Sequence, residues 1–178
     1  DLPAVQLTDG PNGARGPALP GTHGDAVAGS LCAPCGSALG ATWDVDLVAR
    51  VGALLGTETR RRGCRVLLAP TVNLHRSPLG GRTFESYGEE PRHVGEIAAA
   101  FVRGAQGAGV ACTVKHFAGN ECETDRFVAD SEIDERTLRE VHLLAFELAV
   151  REGGALGIMT AYNRLNGEHC SDSSWLLA

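Results

Sequence analysis

Short apolar runs alternate with amphipathic segments along the chain, and this alternation restricts the possible folds more than any other feature. The apolar runs lie at residues 4–7, 65–70, 109–114 and 155–161. Their residues do not alternate between polar and apolar, which is typical of strands buried on both faces. The order of strand, helix, strand, helix, strand, helix and strand predicts a parallel α/β fold.

The three amphipathic segments between these runs predict helices. The first is expected to begin after Asp44 and to end near Gly63, the second to begin at Pro91, and the third to run from Asp134 to residues 153–154. Proline favours the first helical position and glycine the end of a helix. In the first helix, the spacing predicts an apolar stripe at Leu47, Val51, Leu54 and Leu55.

Long polar loops follow the predicted strands, at residues 8–43, 71–90, 115–133 and 162–174. Such loops are typical of the (β/α)8 or TIM barrel, whose active sites lie at the carboxyl ends of the strands. A full barrel needs about 250 residues. Residues 1–178 are therefore expected to form about the first half of a TIM-like barrel, an incomplete N-terminal domain of a larger protein.

Composition argues against several classes of function. The net charge is -6 and no stripe of basic residues is present, so nucleic-acid binding is not expected. The sequence has no apolar run of about 18 residues, so no membrane-spanning helix is expected. Glycine-rich phosphate loops are also missing from the sequence, and no cofactor is expected.

The six cysteines do not indicate a metal site. Cys32 and Cys35 form a CxxC motif, but neither a second motif of this kind nor a histidine pair completes a zinc site. We expect no metal and interpret the thiols as buried or loop residues. The chain begins without a signal segment, which does not decide export for a fragment; a cytoplasmic location is favoured over a secreted one.

Charged and polar side chains follow each predicted strand. In strand order they are Asp9 and Arg15, Arg82, Lys115 and His116, and Tyr162. Because the carboxyl ends of parallel strands lie at one edge of a sheet, these groups are expected to line one pocket. A carboxylate accepts hydrogen bonds from neighbouring hydroxyls, whereas ammonium and guanidinium groups donate to them. The expected ligand is therefore a sugar.

Lys115 is the only lysine of the chain, and three interpretations of it remain open. It could donate hydrogen bonds to sugar hydroxyls. It could form a Schiff base with a carbonyl substrate, as barrel-strand lysines of class I aldolases do. It could also be structural, in an ion pair with Asp9 or Glu85.

Six segments carry a resemblance to a known family. They read TDGPNGARG, GATWD, APTVNLHRSPLGGRTFESYGEEP, TVKHFAGNECETDR, IDERTLREVHLLAFELAV and IMTAYNRLNG. In this order they resemble the N-terminal catalytic barrel of family 3 glycoside hydrolases, in particular β-glucosidases. The resemblance implies a retaining hydrolase that releases terminal, non-reducing β-D-glucosyl residues from β-glucosides or short oligosaccharides. One carboxylate of such an enzyme attacks the anomeric carbon, and a second carboxyl group protonates the leaving oxygen.

The resemblance also implies a role for each predicted site residue. Asp9 would accept hydrogen bonds from O4 and O6 of the non-reducing sugar, and Arg15 would support Asp9. Hydroxyls around O2, O3 and O4 would be contacted by Arg82, Lys115 and His116.

Two further residues belong to the implied site, and two others to its supporting loop. Met159 would line the wall of the pocket, and Tyr162 would lie close to the nucleophile and the anomeric carbon. We expect Asn120 and Arg126 to brace the loop after the third strand rather than to touch the sugar.

Neither catalytic carboxyl group is expected within this chain. The resemblance places the nucleophile in a Ser-Asp-Trp-like motif after residue 178 and the acid/base in a second domain. Ser171-Asp172 has no apolar strand before it, so Asp172 is interpreted as a helix cap or loop carboxylate. The isolated chain is predicted to be inactive. Open alternatives are a β-xylosidase or other exo-glycosidase of the family, and a non-catalytic sugar-binding or interaction module.

Overall fold

Four parallel strands form the main sheet of the computed structural model, which describes residues 4–15 and 30–178. The described residues contain the strands β1 (Leu7–Asp9), β2 (Val66–Leu68), β3 (Ala111–Phe117), β4 (Asp130–Ser131), β5 (Gly157–Thr160), β6 (Arg164–Leu165) and β7 (Glu168–His169). The main sheet has the order β1-β2-β3-β5, with every neighbouring pair parallel. The predicted parallel α/β fold is confirmed.

Helices lie between the strands of the main sheet, and one short helix follows the last strand of the second sheet. They are α1 (Gly36–Gly40), α2 (Val45–Arg61), α3 (Pro91–Gly107), α4 (Glu135–Thr137), α5 (Leu144–Arg151) and α6 (Ser174–Leu177), together with a 3-10 turn at Thr83–Glu85 and a π-helical turn at Leu138–His142. Helix α3 packs against both α2 and α5. None of the helices in the described residues has the length and apolar character needed to cross a membrane.

The start of α2 agrees with the prediction, but its buried face does not. The carboxylate of Asp44 accepts a hydrogen bond from the backbone N–H of Leu47 at 2.8 Å and caps the helix. Leu55 is fully buried as expected, whereas Leu54 is 49% exposed. The side chain missing at Gly52 lets the backbone of α3 approach closely, so α2 turns its small residues toward α3.

The third predicted helix is interrupted. The carboxylate of Asp134 accepts from the backbone N–H of Thr137 at 3.0 Å and starts the segment as expected. The N–H of Leu143 then donates to the carbonyl of Leu138 at 2.8 Å, five residues back, which makes a π-helical turn. The apolar pattern does not reveal this turn, because a one-residue insertion changes the periodicity only locally.

Two strands end later in the sequence than predicted. As a result, three site residues lie in strands rather than in loops. Strand β1 includes Asp9, and β3 extends through Lys115 and His116, although the sequence predicts loops at these residues. Lys115 pairs with Met159 of β5 and forms a parallel bridge with Thr71. Backbone pairing with neighbours therefore extends the strand beyond its apolar run. The peptide bonds Lys115–His116 and Phe117–Ala118 are cis.

Burial of the strands depends on their position in the sheet. The prediction of burial on both faces holds for Leu67 and Val114, which are fully buried in the two central strands. It is wrong for the outer strands, where Leu7 is 57% and Ile158 is 43% exposed. In the described part of the chain, β1 and β5 each have one neighbour in the main sheet, so their outer sides remain open.

A small second sheet joins the loops that follow β3 and β5. Strand β6 pairs in parallel with β4 and antiparallel with β7. The side chain of Asn166 accepts from the N–H and donates to the carbonyl of Ile133, both at 2.8 Å. The two loops are therefore fixed to each other beside the carboxyl ends of their strands.

Candidate functional site

Asp9 and Lys115 form an ion pair although 106 residues separate them in the sequence. The ammonium Nζ donates to Asp9 Oδ1 at 2.6 Å. Strand β2 lies between the strands that carry the two residues, so the pair spans three strands. The Lys115 side chain is 2% exposed and the Asp9 side chain is 51% exposed. The carboxylate therefore faces solvent while the ammonium lies beneath it.

The surroundings of Asp9 favour its ionised form. Partial burial acts to raise the pKa of this carboxyl, but the hydrogen bond and charge of Lys115 act against it. The backbone N–H of Gly10 also donates to Oδ1 at 2.9 Å, and Arg15 adds a positive charge. The sum is a pKa below the ordinary value, which makes Asp9 a charged hydrogen-bond acceptor at neutral pH.

Arg82 is held by a carboxylate from its own turn. Its Nε and Nη2 donate to the two oxygens of Glu85 at 3.1 and 2.7 Å. The 3-10 turn brings the partners together across three residues, and Thr71 donates to the same carboxylate at 3.3 Å. Burial acts to lower the pKa of Arg82, but Glu85 raises it above its usual value. Glu85 therefore pairs with Arg82, and of the two partners predicted for a structural Lys115 only Asp9 contacts it.

His116 is a neutral imidazole with a defined tautomer. Its Nε2 lies 3.0 Å from Nη1 of Arg82, a group that only donates, so the ring proton resides on Nδ1. Nδ1 in turn lies 3.2 Å from Oδ1 of Asn73. Burial, followed by the positive charges of Arg82, Lys115 and Arg126, lowers the pKa of His116 to about 3. Both ring nitrogens have protein partners.

Asn73 fixes the backbone of His116 as well as its ring. The backbone N–H of His116 donates to Asn73 Oδ1 at 2.8 Å, and Asn73 Nδ2 donates to the His116 carbonyl at 3.0 Å. An asparagine can satisfy an N–H and a C=O at once because its amide carries both a donor and an acceptor. The loop after β2 thereby positions a residue of β3.

Glu123 connects these groups to the loop after β3. Its Oε1 accepts from Asn120 Nδ2 at 3.0 Å and lies 3.5 Å from Arg82 Nη1. Its Oε2 accepts from Arg126 Nη1 at 2.6 Å. We call the set of Arg82, Glu85, His116, Asn73 and Glu123 the Arg82 network. The contacts of Asn120 and Arg126 fit the expected brace, and their role toward a sugar stays a prediction.

Tyr162 lies at the outer side of this network. Tyr162 is 56% exposed, and its ring centroid is 4.9 Å from that of Phe127. The guanidinium carbon of Arg126 is 5.1 Å from both ring centroids. Tyr162 is thus connected to Arg82 through Arg126 and Glu123.

The predicted site residues occupy one end of the main sheet. Asp9 contacts Lys115, Arg82 contacts His116, and the charge of Asp9 also acts on Arg82. The backbone N–H of Arg15 donates to the Asp9 carbonyl at 3.0 Å, and Met159 pairs with Lys115 between β3 and β5. Their individual roles toward a ligand stay predictions.

Sequence reasoning missed three residues of this region. Asn73 and Glu123 hold predicted site residues in place, and Phe127 packs on Tyr162. Asn73 lies in the segment APTVNLHR and Glu123 in NECETDR, close in the sequence to Arg82 and His116 respectively. This closeness in sequence is the signal that could have indicated them. Polar loop residues have no periodicity that would single them out.

Asp172 does not cap the last helix. The hydroxyl of Ser173 accepts from the backbone N–H of Leu176 at 3.4 Å at the start of α6, while Asp172 is an exposed residue of the preceding turn. Of the two interpretations of Asp172, the helix cap is therefore wrong and the loop carboxylate agrees with the structure. Serine at this position satisfies a free N–H of the first turn equally well.

The CxxC cysteines are free thiols in the loop before α1. Cys32 is exposed and Cys35 is half-buried. The pKa of Cys35 lies below its usual value because the Ser37 hydroxyl and nearby backbone groups donate to the thiolate. Across residues 4–15 and 30–178, no three His, Cys, Asp or Glu side chains are grouped so as to hold a metal ion.

Comparison with known proteins gives matches along almost the whole chain. Residues 20–178 match the Glycosyl hydrolase family 3 N terminal domain. The chain is 51% identical over 176 residues to beta-glucosidase B of Emericella nidulans, covering 99% of this chain and 20% of that protein. It is 49% identical over 178 residues to a beta-glucosidase of Rhizobium radiobacter, with coverages of 99% and 21%. The chain spans about a fifth of the length of these relatives.

Solved structures agree with the sequence matches. Beta-glucosidase 3B from Thermotoga neapolitana in complex with glucose superposes with a TM-score of 0.94 and is 44% identical, over 99% of this chain and 24% of that one. Beta-glucosidase from Kluyveromyces marxianus in complex with glucose gives a TM-score of 0.91 at 46% identity, over 98% of this chain and 20% of that one.

Proposed function

The chain belongs to glycoside hydrolase family 3, and from this membership we propose that the complete protein is a β-glucosidase. It removes terminal, non-reducing β-D-glucosyl residues with retention of anomeric configuration. The relatives named above are beta-glucosidases, and two of the solved structures contain glucose.

The observation that carries the proposal is the open carboxylate of Asp9 beside the buried ammonium of Lys115. An ionised carboxylate at the mouth of the site accepts hydrogen bonds from two neighbouring hydroxyls. The charge and hydrogen bond of Lys115 help to lower the pKa of Asp9 against the effect of partial burial, and the other two N–H groups of Lys115 are donors. In the proposed complex, Asp9 holds the outer hydroxyls of the glucosyl unit, and Lys115 and the Arg82 network form the adjacent wall.

The four parallel strands of the main sheet are proposed to be the first half of a (β/α)8 barrel. Consecutive strands are neighbours in the sheet, as a barrel requires. Leu7 and Ile158 on its two outer strands are exposed, which leaves room for further strands of a longer chain. A structure of the complete protein would test this, because strands from later in the chain must pair with both β1 and β5.

Bond cleavage needs a nucleophilic carboxylate and a carboxyl acid about 5–5.5 Å apart in a retaining enzyme. We propose that both come from later parts of the complete protein. Residues 1–178 then supply sugar recognition and no turnover. Lys115 does not act as a Schiff-base lysine in this proposal, since that chemistry needs an uncharged amine whereas Nζ here forms an ion pair with the carboxylate of Asp9.

The test is the hydrolysis of phenyl β-D-glucoside by the complete protein, followed by NMR of the released sugar. We expect β-glucose to appear first and the α anomer to accumulate only by mutarotation. Phenyl β-D-xyloside is the matched substrate, since it lacks only the hydroxymethyl group, and its kcat/KM should be lower.

Each other outcome has a defined meaning. A first product of α-glucose would contradict retention, and preferred xyloside cleavage would assign a β-xylosidase. Sugar binding without cleavage would assign a binding module. Turnover by residues 1–178 alone would overturn the proposed division of roles, and borohydride trapping of a carbonyl ligand on Lys115 would support the aldolase-like alternative.

A further inference from the structure

An apolar surface lies beside the charged site. We call it the apolar rim and define it by Phe127, Val128 and Tyr162, whose exposed fractions are 61%, 73% and 56%. A cluster of exposed large apolar residues beside a polar site is typical of a binding surface rather than of a solvated loop.

The apolar rim is fixed before any ligand arrives. The ring centroids of Phe127 and Tyr162 are 4.9 Å apart, and the guanidinium of Arg126 lies against both rings. Arg126 is itself held by Glu123 at 2.6 Å. The N–H of Val128 donates to the Asp125 carbonyl at 2.8 Å, which closes a turn at the base of the rim. Ordering the rim therefore costs little on binding.

The rim is continuous with the site but opposite to it in chemistry. Arg126 and Glu123 connect it to Arg82, so it begins one ion pair away from the Arg82 network. The charged groups suit the hydroxyls of a sugar, whereas exposed aromatic and aliphatic faces suit a flat apolar group. A glucoside with an apolar leaving group combines a hydroxyl-rich sugar and an apolar group in one molecule.

We propose that Phe127 and Val128 bind the leaving group of the substrate and select aryl and similar flat apolar aglycones. This inference rests on the proposed function. Tyr162, which was predicted to lie near the anomeric carbon, forms the inner end of the rim, and Phe127 and Val128 form its outer part. The two residues determine specificity and take no part in bond cleavage.

The test compares two substrates that share the glucosyl unit. In the complete protein, Phe127→Ala and the double change Phe127→Ala/Val128→Ala are assayed with phenyl and methyl β-D-glucoside. Loss of an aromatic contact should lower kcat/KM for the phenyl substrate roughly 3- to 10-fold. For methyl β-D-glucoside, kcat/KM should change by less than about 2-fold, and inhibition by free glucose should be unchanged. Neither the methyl group nor glucose reaches the rim.

Leu156→Ala is the matched control. Leu156 is 75% exposed and precedes β5 at its amino end, whereas Tyr162 follows the carboxyl end of the same strand. Its loss should leave both substrates unchanged. Phe127→Tyr keeps the ring and should retain the preference for the phenyl substrate.

Three results would overturn the inference. Equal losses for both substrates, or no loss for either, would show that the rim does not bind the leaving group. A fall in Tm for Phe127→Ala well beyond that for Arg126→Ala, which loses the contact with the same ring, would show that another segment of the longer chain covers the rim. If the unchanged protein hydrolyses neither glucoside, the proposed function fails as well; if it hydrolyses both, only the rim assignment is at stake.

Discussion

The Asp9–Lys115 pair and the Arg82 network lie at the same end of the sheet, but the protein uses their hydrogen-bonding capacity differently. Asp9 is half exposed and Lys115 is enclosed beneath it. In the Arg82 network, by contrast, Glu85 takes two donors of Arg82, and His116 has a partner at each ring nitrogen. The first pair is open toward a ligand and the second set is largely satisfied by protein.

This difference separates binding from support. A group with unused lone pairs can form a new hydrogen bond to a ligand hydroxyl and so stabilise the bound ligand. A group that is already paired with protein mainly holds its neighbours in position. Substitutions in the open pair should therefore alter kcat/KM first. Substitutions in the network should alter the free energy of unfolding first.

The largest expected effect is that of Lys115→Met in the complete protein. Methionine keeps the buried shape but removes the charge and the hydrogen-bond donor that hold the carboxylate of Asp9. We expect the transition state for phenyl β-D-glucoside to lose about 3 kcal/mol of stabilisation, so that kcat/KM falls on the order of 100-fold. Arg136→Met is the control, because its ion pair with Glu140 is exposed and should contribute almost nothing. An unchanged kcat/KM would make Lys115 purely structural.

Glu85→Gln should act on stability instead. It removes the charge that Arg82 contacts through two donors, and a hydrogen bond to a charged group contributes about 2 kcal/mol. We expect the free energy of unfolding, measured with urea, to fall by about that amount. Glu140→Gln, at an exposed ion pair, should change it by less than about 0.5 kcal/mol. A loss of activity without a loss of stability would show that Glu85 acts in ligand binding rather than in support of the structure.

His116 predicts a pH dependence of the network. Its pKa is depressed to about 3 in the folded protein, so the unfolded chain binds one more proton between that value and about 6.5. The stabilisation is complete above the upper limit and is lost as the pH falls through this window. His116→Gln should reduce the slope of unfolding free energy against pH by up to about 1.4 kcal/mol per unit. Equal slopes in both proteins would contradict a buried neutral His116.

Arg126→Ala is expected to have the smallest effect. The change removes an ion pair with Glu123 and the contact with two rings, so we expect a loss of about 1 kcal/mol of stability. KM for methyl β-D-glucoside, whose leaving group does not reach the apolar rim, should stay within about 2-fold. A large rise in KM with no loss of stability would place Arg126 in the sugar site and remove the proposed distinction between brace and binding group.

Much of the site could be predicted because parallel strands bring their carboxyl ends together. Asp9, Arg82 and Lys115 each follow or end an apolar run, and the fold places them side by side. The partners of these residues could not be predicted in the same way. Asn73 and His116 are 43 residues apart, and their contact depends on how the loop after β2 packs against β3.

The sequence by itself determined the order of the four main-sheet strands and of the three helical segments between them, because hydrophobic periodicity and helix-capping residues are local properties. It also predicted that Asp9, Arg82 and Lys115 lie at one end of the sheet. Only the tertiary structure decided that β3 continues through Lys115 and His116, that Glu85 pairs with Arg82 and Asp9 with Lys115, and that Phe127 meets Tyr162. These contacts depend on distances between segments that are far apart in the chain. Such distances are set only when apolar side chains are buried and strands are paired in the folded protein.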